Sequence, residues 1–310
     1  MNPIRAIATW AAAGAMICLG TQATANSENS EKYFRRIATF PVYLNTDINL
    51  ETVAEIVDVS KNGQTLVYTD SEQELVGFVD ISNAYQPAAD GTVAVGGEPT
   101  SVAVAGKYAL TAVNTSDNFV DTSGHLRVIN MNTRAVIRDI PLGGQPDSIS
   151  VSPDGRYAAI AIENERDEDL GDGRPPQHPP GFLVIVDLVG NPGQWSTRKV
   201  DLVGVADKFP LDPEPEYVDI NANNIAAVTM QENNHIVLVN LQNGTVIGDF
   251  PAGAVNLNRV DTNENDLIEL QDRLTNVPRE PDGLVWINPD LFATADEGDL
   301  DGGSRGFSIF

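Results

Sequence analysis

The sequence predicts an all-β fold, a β-propeller built from four-stranded antiparallel blades. Three observations carry this: a hairpin motif that returns at one phase, further strands trailing each copy, and almost no helical periodicity. Four stretches align without gaps over their first residues: GGEPTSVAVAGKYALTAV from Gly96, GGQPDSISVSPDGRYAAIAI from Gly143, DPEPEYVDINANNIAAVTM from Asp212 and PREPDGLVWINPDLFATAD from Pro278. VAEIVDVSKNGQTLVYTD, from Val53, is a weaker copy ahead of them. Each copy reads as an alternating strand, a tight polar or glycine-containing turn and a second β-rich strand, the pattern of a hairpin.

A third strand follows every hairpin: LVGFVDI ending at Ile81, HLRVINM at Met131, FLVIVDL at Leu188, HIVLVNL at Leu241 and RGFSIF at Phe310. The earlier units continue into a fourth, in TVAVGG, AVIRDIPLGG, TRKVDLVG and TVIGDFPAG. Four antiparallel strands per unit make a propeller blade. A β-sandwich would also give many short strands, but it would not give one motif at one phase five times. The sole helical candidate is a short turn near Asp266 to Leu274.

About five blades are therefore expected, as the N-terminal part of a seven-bladed propeller. RRIATFPVYL, residues 35–44, stands where an outer strand would, and is expected to pair with the three strands of the last unit. The sequence stops at Phe310 straight after a third strand, which reads as truncation before further blades. The domain expectation is a signal peptide over 1–25, a flexible mature N-terminus over 26–34 and the propeller over 35–310.

The signal peptide rests on Arg5, the apolar run from Ala6 to about Leu19 and the Ala23-Thr24-Ala25 site. The run is shorter than the ~20 residues of a membrane span, so no span is expected after cleavage near Ala25. The product would be secreted or periplasmic. Cys18 is the one cysteine and leaves with the signal, so no disulfide is expected. A formal net charge of -25 repels phosphate backbones and argues against a nucleic-acid partner. The acidity serves solubility, or it attracts cations.

Loops entering the innermost strands carry Glu98, Asp147, Glu214 with Glu216, and Glu280 with Asp282. Loops after the second strands carry Asp70, Asn114, Glu163 with Asn164 and Glu165, Gln231 with Glu232 and Asn233, and Asp296 with Glu297. Propeller topology puts both sets on one face. Carboxylate and amide oxygens gathered there suit a hard cation such as calcium, and the same carboxylates equally serve to cap backbone amides. In the insertion from Glu163 to Gly181, Asp167, Asp169 and Asp172 with Gly171 and Gly173 either fold round an ion or form a solvated loop; the ligand order is not that of an EF-hand.

Other chemistries fit poorly. GGSRG at 302–306 matches G-x-S-x-G, but a nucleophile elbow needs a following helix, and here a strand follows. His125, His178 and His235 lack zinc spacing. Arg279 and Arg305 flank acids and suit either a phosphate clamp or ion pairs with Glu280 and Asp299.

On these motifs, REPDGLVWINPDLFATADEGDLDGGSRGFSIF resembles the esterase-like domain of a group of secreted bacterial phytases, in which an acidic P-[ED]-G strand precedes an Asp-Glu-Gly turn. GGEPTSVAVAG and GGQPDSISVSPDGRYAAIA resemble the repeats of YVTN-type, lactonase-like seven-bladed propellers. Over nearly all of 35–310 the chain is similar to choice-of-anchor I proteins, some of them labelled alkaline phosphatase. The resemblance to phytase-type enzymes implies a calcium-dependent hydrolase of a small-molecule phosphoester or ester, in which calcium neutralises the phosphate and activates water. Glu98, Asp147, Glu163, Glu165, Glu214, Glu216, Glu232, Asp296 and Glu297 would be the metal ligands. Glu280 and Asp282 would be the catalytic acids, one serving as general base, with Arg279 or Arg305 as the phosphate clamp. The alternatives are a non-catalytic propeller that binds a protein or envelope polymer, and a lactonase-like hydrolase acting on a neutral ester.

Overall fold

A computed structural model describes residues 34–263, 265–301 and 304–310. The signal peptide over 1–25 and most of the 26–34 segment lie outside the described residues. The chain divides into a unit ending at Arg36 and a second running from Ile37 to Phe310. Of the first, residues 34–36 are described; they are exposed and form no strand.

Blade I is β1 (Ala54–Val59), β2 (Thr65–Asp70), β3 (Leu75–Asp80) and β4 (Ala88–Ala94). Blade II is β5 (Glu98–Ala105), β6 (Tyr108–Asn114), β7 (Gly124–Asn130) and β8 (Val136–Pro141). Blade III is β9 (Pro146–Val151), β10 (Tyr157–Ile162), β11 (Phe182–Asp187) and β12 (Ser196–Asp201). Blade IV is β13 (Pro215–Ile220), β14 (Ile225–Met230), β15 (His235–Asn240) and β16 (Thr245–Pro251). After a separate hairpin, β17 (Ala254–Val260) with β18 (Asp272–Pro278), blade V has three strands: β19 (Pro281–Asn288), β20 (Leu291–Asp296) and β21 (Gly306–Ile309). Pairing is antiparallel in sequence order throughout, as the repeats predict.

The innermost strands follow one another in space as β1, β5, β9, β13 and β19. Apolar cores fill the spaces between successive blades. Val67, Phe78, Val113 and Ile129 pack between I and II; Leu110, Leu126, Ile160 and Ile162 between II and III. Leu183, Ile185, Val228 and Val237 lie between III and IV, and Ile236, Leu284 and Phe292 between IV and V. Strands buried on both faces need apolar residues at successive positions, which is why YAAIAI of β10 is buried at every residue.

Two expectations fail. Residues 35–44 do not form a closing strand: Val42–Asn45 is a 3-10 turn after Pro41, whose ring fixes φ and removes a backbone donor. Asn45 fastens that turn to blade I, donating to Tyr68 Oη at 3.1 Å and Phe78 O at 2.9 Å. The helical turn near Asp266 to Leu274 is also absent. Asp272–Pro278 is a strand, with Leu274 opposite Leu257 and Val277 opposite Val255. Alternating Val255 and Leu257 carried that signal, but they belong to no repeat.

One irregularity recurs. The first strand of every blade shifts register close to its start: between Ala54 and Val57, Pro99 and Ser101, Pro146 and Ile149, Pro215 and Val218, and Pro281 and Leu284. Each shift takes residues out of the ladder at the same place, where a bulge re-aims a side chain.

Candidate functional site

The bulges decide where the acids go. Glu55, Thr100, Asp147, Glu216 and Asp282 are the aligned residues at which each shift begins, directly after Ala54, Pro99, Pro146, Pro215 and Pro281. A residue outside the ladder leaves a backbone N–H without its cross-strand acceptor, and a threonine of the second strand supplies one: Thr69 Oγ1 accepts from Ile56 N at 3.1 Å, Thr229 Oγ1 from Tyr217 N at 3.1 Å. The neighbouring blade then fixes the acid's own carbonyl. Ser148 Oγ donates to Glu216 O at 2.6 Å, and Thr229 Oγ1 to Asp282 O at 2.8 Å. Thr229→Val deletes the bonds of this hydroxyl to Tyr217 and Asp282 at a buried position, and a loss of about 1–3 kcal/mol is expected in chemical denaturation.

Asp147, Glu163, Glu216 and Asp282 converge although they come from three blades. Burial raises all four above the ordinary carboxylate range, and neighbouring acids add to it, Glu297 at Asp282 and members of the group itself at the other three. Asp147 is pushed up to about 7, with Asp282, two blades away, the strongest electrostatic contributor. Glu216 feels Glu232, Glu163, Asp147 and Asp282. These are half-buried carboxylates facing one another, and none forms an ion pair among the described residues.

The remaining expected ligands are held otherwise. Glu214 and Glu232, 1 % exposed each, flank the buried guanidinium of Arg166. That guanidinium also meets Glu168 at 2.9 Å, Asp299 at 3.1 Å and, through Nε, Gly173 O at 3.0 Å. Burial and the adjacent Glu232 push Glu214 up to about 9. Glu165 is exposed and accepts from Gln145 Nε2 at 3.1 Å; Glu98 accepts from Asn114 Nδ2 at 3.4 Å within its own blade. Asp296 accepts from Thr294 Oγ1 at 2.8 Å and Ser308 Oγ at 2.6 Å, and Glu297 from Gln231 Nε2 at 3.0 Å.

The catalytic candidates are similarly committed. Glu280 is fully buried, takes Lys208 Nζ at 3.3 Å on one oxygen and accepts Asp301 N at 3.1 Å on the other. Arg279 donates to Ser308 Oγ at 2.8 Å and to Ala252 O at 2.9 Å, which makes it a brace between blade IV and blade V. Arg305 is exposed, 3.5 Å from Glu297. Of the four, Asp282 alone stands in the open acid group.

In the insertion, Asp167 Oδ1 accepts Asp169 N at 2.9 Å and Asp172 Oδ1 accepts Arg174 N at 3.3 Å, so these acids close turns. Arg174 reaches Asp301 at 2.7 Å. His125 Nε2 sits 3.2 Å from Val95 O and His235 Nε2 3.1 Å from Asp249; His178 is exposed. Ser304 is buried and is followed, after Arg305, by the strand β21, while Gly302 and Gly303 of the GGSRG match lie outside the described residues. Among the described residues, no three acid, histidine or cysteine side chains stand close enough to hold a metal ion. Calcium therefore has oxygen donors here of the right chemistry, but not a cage. Sequence reasoning passed over Arg166 and Lys208; the signal for Arg166 was a lone cation within ENERDED.

Blades, inter-blade cores and an acid-lined axis define a β-propeller. A family model for the choice-of-anchor I domain matches residues 55–302, and the chain belongs to that family. Membership goes with a surface or secreted location. Hydrazine synthase of Kuenenia stuttgartiensis contains a similar chain, with a TM-score of 0.56 and 10% identity, covering 82% of this chain and 70% of that one. A catalytically inactive virginiamycin B lyase from Staphylococcus aureus gives a TM-score of 0.53 at 13% identity, covering 85% and 71%. At such identities the likeness is one of fold. No curated protein matches the sequence.

Proposed function

We propose that this propeller is the recognition module of an exported or surface-held protein, which binds cationic groups at its acid-lined axis and is not itself a hydrolase. One observation carries the reading: two of the groups that hydrolysis would draw on, Glu280 and Arg279, are already used by the fold. Glu280 is buried against Lys208, and Arg279 is spent on two main-chain carbonyls and Ser308. A phosphate clamp needs a guanidinium free to make bidentate contact, and a general base needs reach to its proton. What the axis does offer is negative charge that lacks a counter-charge among the described residues, set on rigid strands.

A calcium-dependent phosphomonoester or ester hydrolase is the second reading, favoured by the same open carboxylates. Asp147, Glu163, Glu216 and Asp282 would supply oxygen ligands, and a carboxylate of raised pKa is suited to proton transfer near neutrality. Incubating the purified protein with p-nitrophenyl phosphate and p-nitrophenyl acetate, with calcium or with chelator, separates the two. The expected result is no turnover above that of the folded Asp282→Asn variant. A calcium-dependent rate that Asp282→Asn abolishes would replace the first reading with the second.

A further inference from the structure

We infer that the mouth of the propeller opposite the acids binds a small amphiphilic carboxylate, an apolar chain ending in one negative charge, in a cavity along the innermost strands of blades I to III. The inference goes beyond the reading of the acid-lined axis and does not depend on it.

The cavity measures about 720 Å³, within the range of roughly 300–1,000 Å³ that holds small ligands. From Ile56, Ser101 and Ile149, beside the bulges, it follows β1, β5 and β9 to the turns at Lys61, Lys107 and Asp154. Those turns join first strands to second, so they emerge at the end of each blade away from the bulges. Apolar side chains along it keep surface that the inter-blade cores do not cover. Val57 is 59 % exposed and Val59 42 %, while Val104, Val151 and Leu188 are half-buried. Tyr108, packed edge-on against Trp195 at 5.8 Å, adds an aromatic wall.

Charge decides which end of a ligand belongs where. Lys61 and Lys107 line the cavity at exposed turn positions, and neither forms an ion pair among the described residues. The nearest aromatic ring to the Lys107 ammonium is that of Tyr108, 5.4 Å away. The acids at this mouth, by contrast, have donors of their own. Asp58 Oδ1 accepts Val59 N at 2.6 Å and its Oδ2 accepts Val104 N at 2.7 Å. Asp154 accepts from Ser152 Oγ and Asn224 Nδ2 at 2.8 Å each, and Asp219 from Ser150 Oγ at 3.2 Å and Trp286 N at 2.8 Å. A ligand carboxylate supplies the partner that the two ammonium groups lack, as a charge-assisted acceptor. Tyr217, which also lines the cavity, lies in the field of Asp219, Asp282 and Asp147. Negative charge is repelled at that end, so the apolar part of the ligand points towards the axis and its single charge stays at the lysines.

Calorimetric titration of the full-length protein at pH 8 tests this, with decanoate, decanol, decylamine and acetate, each kept below its solubility or micelle limit. Decanoate is expected to bind saturably and at least tenfold more tightly than decanol, with no saturable binding of decylamine or acetate. Lys61→Gln with Lys107→Gln is expected to lower decanoate to the affinity of decanol and to leave decanol unchanged. Val57→Asp, at an exposed strand position, is expected to weaken both at least tenfold with the circular dichroism of the parent retained. Four results would overturn the site: no saturable binding of decanoate, decanol or decylamine binding as tightly as decanoate, undiminished decanoate binding in the lysine double variant, or undiminished binding in Val57→Asp. Turnover in the hydrolysis assay bears on the acid-lined axis alone, so the two failures are distinguishable.

Discussion

Arg166→Met is expected to destabilise the propeller by about 3–5 kcal/mol at pH 7, the cost of removing one partner from a buried ion pair. Glu214 and Glu232 would be left in the interior facing each other, and the 163–181 insertion would lose its attachment to Asp299. Methionine keeps much of the side-chain volume, so the loss reports charge more than packing. Urea denaturation should show the deficit shrinking as pH falls, because Glu232, raised by burial, then takes up a proton and no longer needs the guanidinium, while Glu214, raised to about 9, already carries one at pH 7. A deficit that stays constant with pH would assign Arg166 to packing. Restoring a cation with Arg166→Lys should recover part of the stability and not all of it, since an ammonium cannot span four carboxylates as a planar guanidinium does.

The wild-type protein is expected to be more stable at pH 5 than at pH 8, the reverse of a protein held by ordinary carboxylate ion pairs. Asp147 rises from 3.8 to about 7 on folding, so between those values the folded state binds the extra proton and the unfolded state does not. Stability from that proton is fully present below pH ~4 and is lost as pH climbs through 7. Each tenfold gain in proton affinity is worth about 1.4 kcal/mol, so Asp147 alone accounts for up to about 4 kcal/mol. Glu163, Glu216 and Asp282 shift the same way, and Glu214, raised to about 9, carries the decline further. Exposed acids held below their ordinary range by hydrogen bonds, such as Asp80 and Asp261, oppose this only near pH 4 and under. The midpoint of urea unfolding measured from pH 4 to 9 should therefore peak on the acid side and fall through neutrality. A flat or rising profile from 5 to 8 would mean that the axial acids are already neutralised. In Asp147→Asn the slope through pH 7 should flatten.

The blades were legible because a repeat multiplies a weak local signal. YAAIAI and IAAVTM are each ambiguous alone, but at one phase after Pro146 and Pro215 they fix both the strands and the face on which their loops emerge. That the acids around Asp147 and Asp282 share a face followed from the same count. Which of them are open did not, because neutralisation depends on partners far away in sequence. Arg166 lies 66 residues from Glu232 and Lys208 lies 72 from Glu280. Nothing local at Glu214 distinguishes it from Glu216, yet the first faces a guanidinium and the second stands in the open group. Residues 35–44 misled for the opposite reason: their composition suits a strand, but Pro41 sits inside it and the segment binds the nearest blade through Asn45. The hairpin of β17 and β18 went unread because its two strands stand outside every repeat and share no phase with them.

The register shift shared by all five innermost strands separates two tasks that most strand residues perform together. Its residue is excused from cross-strand pairing, while threonine and serine hydroxyls secure the surrounding main chain. Glu55, Thr100, Asp147, Glu216 and Asp282 thus act as interchangeable letters, one to a blade, written onto an unchanged scaffold. A different side chain there leaves every ladder intact, and Thr100 is already one such respelling within this chain.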